Sequence, residues 1–279
     1  MPYRTLLTVI YSSEACAAQI AAGAQLARRL DAHLDILCLG IDEVQVGYYF
    51  AGADAVLQQT SIAMAREKAE ALQSAAEAAV VAEDVRWSAQ AMVTQFGVLT
   101  EVVARAAMFS DLVVQPLPLG DLGGDAAVAI VEAALFAGQS PVLLLPAAEL
   151  SPEFPRRAVV GWNSGVEAMS AVRAALPALK LAGSASVAMI DPPLRAADQS
   201  APGQRLCTML DRHGIRAEVA LLPKTKPRVS DVLMDHVEGQ DADLLVTGAY
   251  GHSRFREAIL GGATRELMSR ARVPLLMAH

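Results

Sequence analysis

The feature that most limits what this chain can fold into is an order of apolar runs and helical stretches that occurs twice. "SPVLLLP" at 140–146 matches "VPLLMAH" at 273–279, displaced by 133 residues, and "DLVV" at 111–114 matches "DLLV" at 243–246, displaced by 132. The first strands match with Tyr11 opposite Trp162, displaced by 151. The first copy therefore carries about 19 extra residues, which its longer second helix, around residues 45–80, absorbs.

Within each copy, strands apolar on both faces alternate with helices. The first copy reads "TLLTVIYS", "EACAAQIAAGAQLARRL", "HLDILCLGI", the long helix "DAVLQQTSIAMAREKAEALQSAAEAAVV", "VRWSAQAMV", "GVLTEVVARAAMF", "DLVVQPLP", "AAVAIVEAALFAG" and "PVLLLP". After the linker-like "AAELSPEFPRR", the second copy reads "AVVGWN", "GVEAMSAVRAALPALKLAG", "SASVAMIDPP", "RAEVALLP", "SDVLMDHVEGQ", "ADLLVTG", "ATRELMSRA" and "VPLLMAH", with Ser230 expected as an N-cap. This pattern predicts two tandem doubly wound α/β domains, residues 1–148 and 156–279. Each has a mainly parallel five-stranded sheet with helices on both faces.

Composition narrows the function classes. The net charge of −7 and the scattered basic residues argue against a nucleic-acid partner. Cys16, Cys38 and Cys207 are far apart, odd in number and without metal-ligand spacing, which fits a reduced cytoplasmic location. Cys38, inside a strand, is expected to be buried and inert. The N-terminus lacks the charged start and cleavage site of a signal peptide. No uninterrupted apolar run is long enough to span a membrane.

The stretch "VTGAYGHSRFREAILGGATREL", residues 246–267, carries the candidate site. Gly248 and Gly251 follow a strand end, and Gly261 and Gly262 stand just before a helix. In an open parallel sheet, ligands sit beyond the carboxyl ends of the strands, where the strand order reverses. Glycines there let main-chain N–H groups face a ligand closely, and a helix N-terminus adds donors and a positive dipole end. The hydroxyls of Ser253 and Thr264 could add donors. The array suits a di- or triphosphate. It is not a P-loop, because no Gly-Lys-Ser/Thr run follows, and it is not a nicotinamide fingerprint, because it sits on a late strand.

The G-x2-G-x9-G spacing and "VVGWNSGVEAMSAVRAALPAL" resemble the universal stress protein family over nearly the whole chain, as a tandem pair of such domains with the adenine nucleotide alpha hydrolase-like fold. The resemblance implies ATP, possible with Mg²⁺, as the ligand of the second domain. It places Gly161, Trp162, Asn163 and Met189 at the base and ribose, with Ile190 beside Met189. Thr247, Gly248, Gly251, Ser253, Gly261, Gly262, Ala263 and Thr264 fall at the phosphates. It also implies that the two domains pair through their last strands, with a further homodimer possible and any protein partner unknown. The chain departs from the family pattern in three places. Gly262 replaces a Ser or Thr, Asn163 replaces an Asp, and Trp162 is large where the family is small. Trp162 could stack on adenine, block its pocket, or pack under a loop.

The first copy lacks the signature. Pro116 and Leu119 stand opposite Gly248 and Gly251, and Val128, Ala129 and Val131 stand opposite Gly261, Gly262 and Thr264. Gly120, Gly123 and Gly124 read as a flexible turn. Tyr48, Tyr49 and Phe50 form an aromatic group that either covers the sheet or meets a partner. No nucleophile elbow, zinc motif or kinase set is present, so no dedicated catalytic activity is expected. Asp191 reads as a turn residue and His252 as a solvated loop residue. The readings that follow are an ATP-binding stress regulator, an interaction module that has lost nucleotide, and a weak ATP-hydrolysing enzyme.

Overall fold

The computed structural model describes residues 2–14, 16–42, 53–120, 123–146, 150–192, 201–249 and 262–279. The first half runs β1 (Thr5–Ile10), α1 (Cys16–Leu30), β2 (His33–Asp42), α2 (Ala53–Val80), β3 (Arg86–Gln95), α3 (Leu99–Ala107), β4 (Leu112–Pro116), α4 (Asp125–Glu132) and β5 (Val142–Leu145). The second half runs β6 (Ala158–Gly161), α5 (Val166–Ala182), β7 (Ser184–Ile190), α6 (Ala201–Arg212), β8 (Arg216–Leu222), α7 (Val229–Gly239), β9 (Leu244–Gly248), α8 (Gly262–Arg270) and β10 (Leu275–Ala278). Apart from α6, the alternation read from the sequence is the alternation observed, and the fold is α/β with mostly parallel strands.

The residues form two compact units. One is built mainly from Tyr3–Gln115. Its strands lie in the order β3-β2-β1-β4, and β1 is parallel to both neighbours. Its core is aliphatic, with Leu6, Ile10, Ile20, Leu34, Ile36 and Leu39 fully buried. Burying each such side chain contributes roughly 1.5–3 kcal/mol relative to exposure. Gly40 lets α2 lie directly on β2, since a Cβ there would come 1.8 Å from the Ala65 carbonyl oxygen.

The other unit is built mainly from Pro141–His279. Its strands lie in the order β5-β10-β9-β6-β7-β8. They are parallel except for β5, which runs antiparallel to β10 with Leu143 opposite Leu276. From β6 the chain moves outward to β7 and β8, then returns to β9 on the other side of β6. The strand order thus reverses between β6 and β9, the place where open sheets of this kind form a crevice outside the carboxyl ends of the strands. Helix α5 ends on Gly183, whose φ of 69° suits a left-handed cap and whose N–H donates to Leu179 O at 3.0 Å.

Two features differ from the sequence pattern. Helix α6 is absent from that pattern, because Pro202 and Gly203 argue against a helix, yet its first turn begins at Ala201. A first turn tolerates Pro, and Leu206 and Leu210, one turn apart, are buried. Ser230 is not an N-cap: Arg228 takes that position, and the buried Ser230 hydroxyl inside the first turn donates to Glu266 of α8. Glu266 also forms an ion pair with Arg228, Oε1 to Nε at 3.1 Å, so α7 and α8 are joined by a polar bridge.

Candidate functional site

At the reversal point, Gly161 of β6 stands opposite Thr247 of β9 and Ala188 of β7. The N–H of Trp162 donates to Ala188 O at 2.9 Å, which extends the ladder one residue past β6. A Cβ on Gly161 would lie 3.1 Å from Thr247 Cγ2 and 3.5 Å from Leu233 Cδ1 of α7, so the glycine makes room for the threonine. Met189 is buried, and its Sδ would lie 2.8 Å from a Cβ on Gly203 of α6. Its sulfur therefore packs beneath α6.

Gly248 is the tightest point. A Cβ there would sit 2.6 Å from the main-chain nitrogen of Ala168 and 2.6 Å from the main-chain carbon of Glu167. The end of β9 is pressed against the first turn of α5, and a side chain has no room. The glycine serves packing whether or not a ligand binds.

The turn between β6 and α5 is built by Asn163. Its Oδ1 accepts from the Gly165 N–H at 2.8 Å, while Ser164 takes a φ of 62°. This is an Asx turn. It uses the amide oxygen and leaves the two amide N–H groups as donors. A Cβ on Gly165 would lie 2.8 Å from that oxygen.

Two polar atoms at these strand ends are buried without a partner among the described residues: Trp162 Nε1 and Thr247 Oγ1. Their residues are only 8% and 7% exposed. Buried polar groups are nearly always hydrogen-bonded, and leaving one unmet costs about 1–3 kcal/mol. The corresponding region of the first copy differs. Gln115 stands where the second copy has Thr247, and Gln19 Nε2 lies 2.8 Å from Thr8 Oγ1, 3.1 Å from Val9 O and 3.1 Å from Gln115 Oε1. Thr8 in turn donates to Val114 O at 2.9 Å. The first copy closes these polar groups on itself, whereas in the second Trp162 Nε1 and Thr247 Oγ1 have no partner among the described residues.

Gly262 begins α8 and is exposed, and a Cβ on it would meet no described atom within 4 Å. Ala263 is half-buried and Thr264 is buried in the same first turn. Gly251, Ser253 and Gly261 lie outside the described residues, as do His252 and the aromatic group Tyr48, Tyr49 and Phe50. Asp191 does lie in a turn: its φ is 41°, its N–H donates to Leu222 O, and its Oδ1 accepts from Lys224 N–H at 3.4 Å. Glu167, the acidic residue in the first turn of α5, is not among the residues that the sequence singles out. Its Oε2 lies 3.2 Å from the position of a Cβ on Gly165, so the carboxylate folds back over the β6–α5 turn. Nothing in its spacing distinguishes it from an ordinary helix-start acid.

Other reactive groups lie elsewhere. Ser186 Oγ is 2.9 Å from His236 Nε2, beneath α7, with Glu218 opposite Ser186 on β8. Burial pushes the His236 pKa down, and the Glu218 charge partly opposes this. The Ser186 hydroxyl is buried and closed to a substrate. Burial pushes the Cys38 thiol up to about 12, which leaves it unreactive. Among the described residues, no group of three or more His, Cys, Asp or Glu could hold a metal ion. No described helix is long and apolar enough to cross a membrane.

The fold and this crevice define a doubly wound α/β protein with a candidate ligand site at a strand-order reversal. Residues 156–279 match the model of the universal stress protein family, and this part of the chain is a domain of that family. A universal stress protein from Synechocystis sp. is 31% identical over 68 residues, a match spanning 24% of this chain and 23% of that protein. The structure of a universal stress protein from Archaeoglobus fulgidus superimposes with a TM-score of 0.71 at 14% identity, covering 98% of this chain and 97% of the other. A functionally unknown protein from Pseudomonas aeruginosa PAO1 superimposes with a TM-score of 0.58 at 16% identity, covering 99% and 92%.

Proposed function

We propose that the C-terminal domain, residues 156–279, binds ATP or a related adenine nucleotide, and that the chain acts as a ligand-dependent regulator in a stress response. The observation that carries this reading is the pair of buried groups, Trp162 Nε1 and Thr247 Oγ1, that have no partner among the described residues at the strand-order reversal. A bound ligand supplies the partners they lack. The phosphates lie toward the first turn of α8, where Gly262 leaves the backbone open and the helix end favours an anion. Any Mg²⁺ arrives with the phosphates, because it keeps several waters and needs few protein ligands. In the unit built mainly from Tyr3–Gln115, Gln19, Thr8 and Gln115 fill the corresponding region.

The test is a thermal shift of the full chain at millimolar ATP with Mg²⁺, together with mass spectrometry of whatever the denatured protein releases. A ligand at 100 times its Kd stabilises the fold by about 2.7 kcal/mol, a shift of several degrees. No shift and no released nucleotide would end this reading. One observation favours a second reading, an interaction module that no longer binds nucleotide: the Asn163 oxygen is already used by Gly165. Nucleotide released from the purified protein excludes that alternative. The crevice holds no paired base and nucleophile among the described residues, so an ATP-hydrolysing role has the least support.

A further inference from the structure

We infer that Glu167 reads the ligand of this crevice, and that its carboxylate accepts hydrogen bonds from the adjacent hydroxyls of a ribose. The inference rests on the nucleotide reading above and deepens it. Glu167 stands where β6, β9 and α5 meet. Its main-chain carbon would lie 2.6 Å, and its Cβ 3.0 Å, from a Cβ on Gly248. Its Oε2 lies 3.2 Å from the Cβ position of Gly165, which places the carboxylate over the turn that carries Trp162 and Asn163. Among the described residues it takes part in no ion pair or hydrogen bond.

The polar groups around it decide what it can recognise. Trp162 Nε1 and the Asn163 amide nitrogen only donate, because the Asn163 oxygen is taken by Gly165. The next acceptor along the strand ends, Asp191, is turned toward β8, where it accepts from Lys224. Beside the neutral Thr247 hydroxyl, Glu167 is thus the charged acceptor of this end of the crevice among the described residues. A ligand that suits it presents two neighbouring O–H donors to the carboxylate and a ring acceptor to the indole. A purine ribonucleoside has both. The negative charge keeps the phosphates away from this end and directs them to α8. A first-turn carboxylate also favours the helix end, and an Asp at this position would serve that role without reaching the turn.

The full chain is titrated with ATP and with 2′,3′-dideoxy-ATP, each with Mg²⁺. Hydrogen bonds to a charged group make ATP the tighter ligand by at least about tenfold. In Glu167→Gln that preference falls to about twofold or less, while the affinity for dideoxy-ATP is unchanged. Glu167→Asp keeps the wild-type melting temperature and shows the same loss of preference. Equal binding of both ligands by the wild type overturns the inference. So does a preference that survives in Glu167→Gln, or tighter ATP binding by that variant, which would mean that the carboxylate only repels phosphate. A wild-type protein that binds neither ligand overturns the nucleotide reading as well, so the two failures are distinguishable.

Discussion

Gly248 and Ala168 touch through their backbones: a Cβ on Gly248 would lie 2.6 Å from the Ala168 nitrogen. Main-chain atoms do not swing aside, so the end of β9 and the first turn of α5 fix each other. Gly248→Ala is therefore expected to destabilise the protein by about 1–3 kcal/mol in urea unfolding. Gly262, with no described atom within 4 Å of its Cβ position, is the contrast. Gly262→Ala is expected to change stability by no more than about 0.5–1 kcal/mol, with the helix preference of Ala favouring a gain. Equal losses at both positions would refute the assignment of Gly248 to packing.

Thr247→Val removes the unmet hydroxyl and keeps the side-chain shape. The protein without ligand should become more stable, by about 1 kcal/mol or more, because a buried unmet polar atom is gone. The stabilisation by ATP should shrink in the same variant. Trp162→Phe should likewise shrink the stabilisation by ATP, while its smaller ring costs packing in the protein without ligand. Calorimetry with and without ATP measures them together. A Thr247→Val variant that loses stability without ligand would mean that the hydroxyl has a partner inside the protein.

His236 predicts an acid-sensitive step in stability. Burial lowers its folded pKa, against the opposing Glu218 charge, so the unfolded chain takes up a proton before the folded one. The stability that the neutral ring contributes is complete above the ordinary histidine value of about 6.5. It is lost as the pH falls below that value toward the lowered folded pKa. His236→Gln should reduce the fall in melting temperature between about pH 7.5 and pH 5.5. An unchanged slope would place the acid sensitivity elsewhere.

The Ser230–Glu266 bridge ties α7 to the helix whose first turn faces the proposed phosphates. Ser230→Ala leaves the Arg228–Glu266 pair, which is partly exposed and worth little alone. The expected loss is about 1 kcal/mol. Hydrogen exchange should show the change concentrated in α7 and α8. Exchange that rises evenly over the whole unit would argue against a local bridge.

Much of the molecule is legible from residue periodicity. The two-copy pattern locates the strands, and the position of Gly248 after "DLLVT" locates the crevice. Helix α6 escapes because Pro202 and Gly203 oppose a helix on local grounds, whereas burial of Leu206 and Leu210 favours one. Ser230 escapes because an N-cap and a bridge to a second helix use the same hydroxyl. Asn163 is readable as an amide in place of an acid, but its capture by Gly165 is not.

The sequence by itself determined the alternation of strand and helix, and Gly248 at a strand end beside the reversal point. These follow from side-chain periods and backbone freedom, which are local properties of the chain. Only the tertiary structure decided that Gly248 is held by α5, that Gln19 and Gln115 close the first copy, that Trp162 and Thr247 find no partner among the described residues, and that Glu167 folds over the turn. Most of these are distances between elements far apart in the chain. Such distances are set by how helices seat on the sheet, which depends on the packing of all the side chains together.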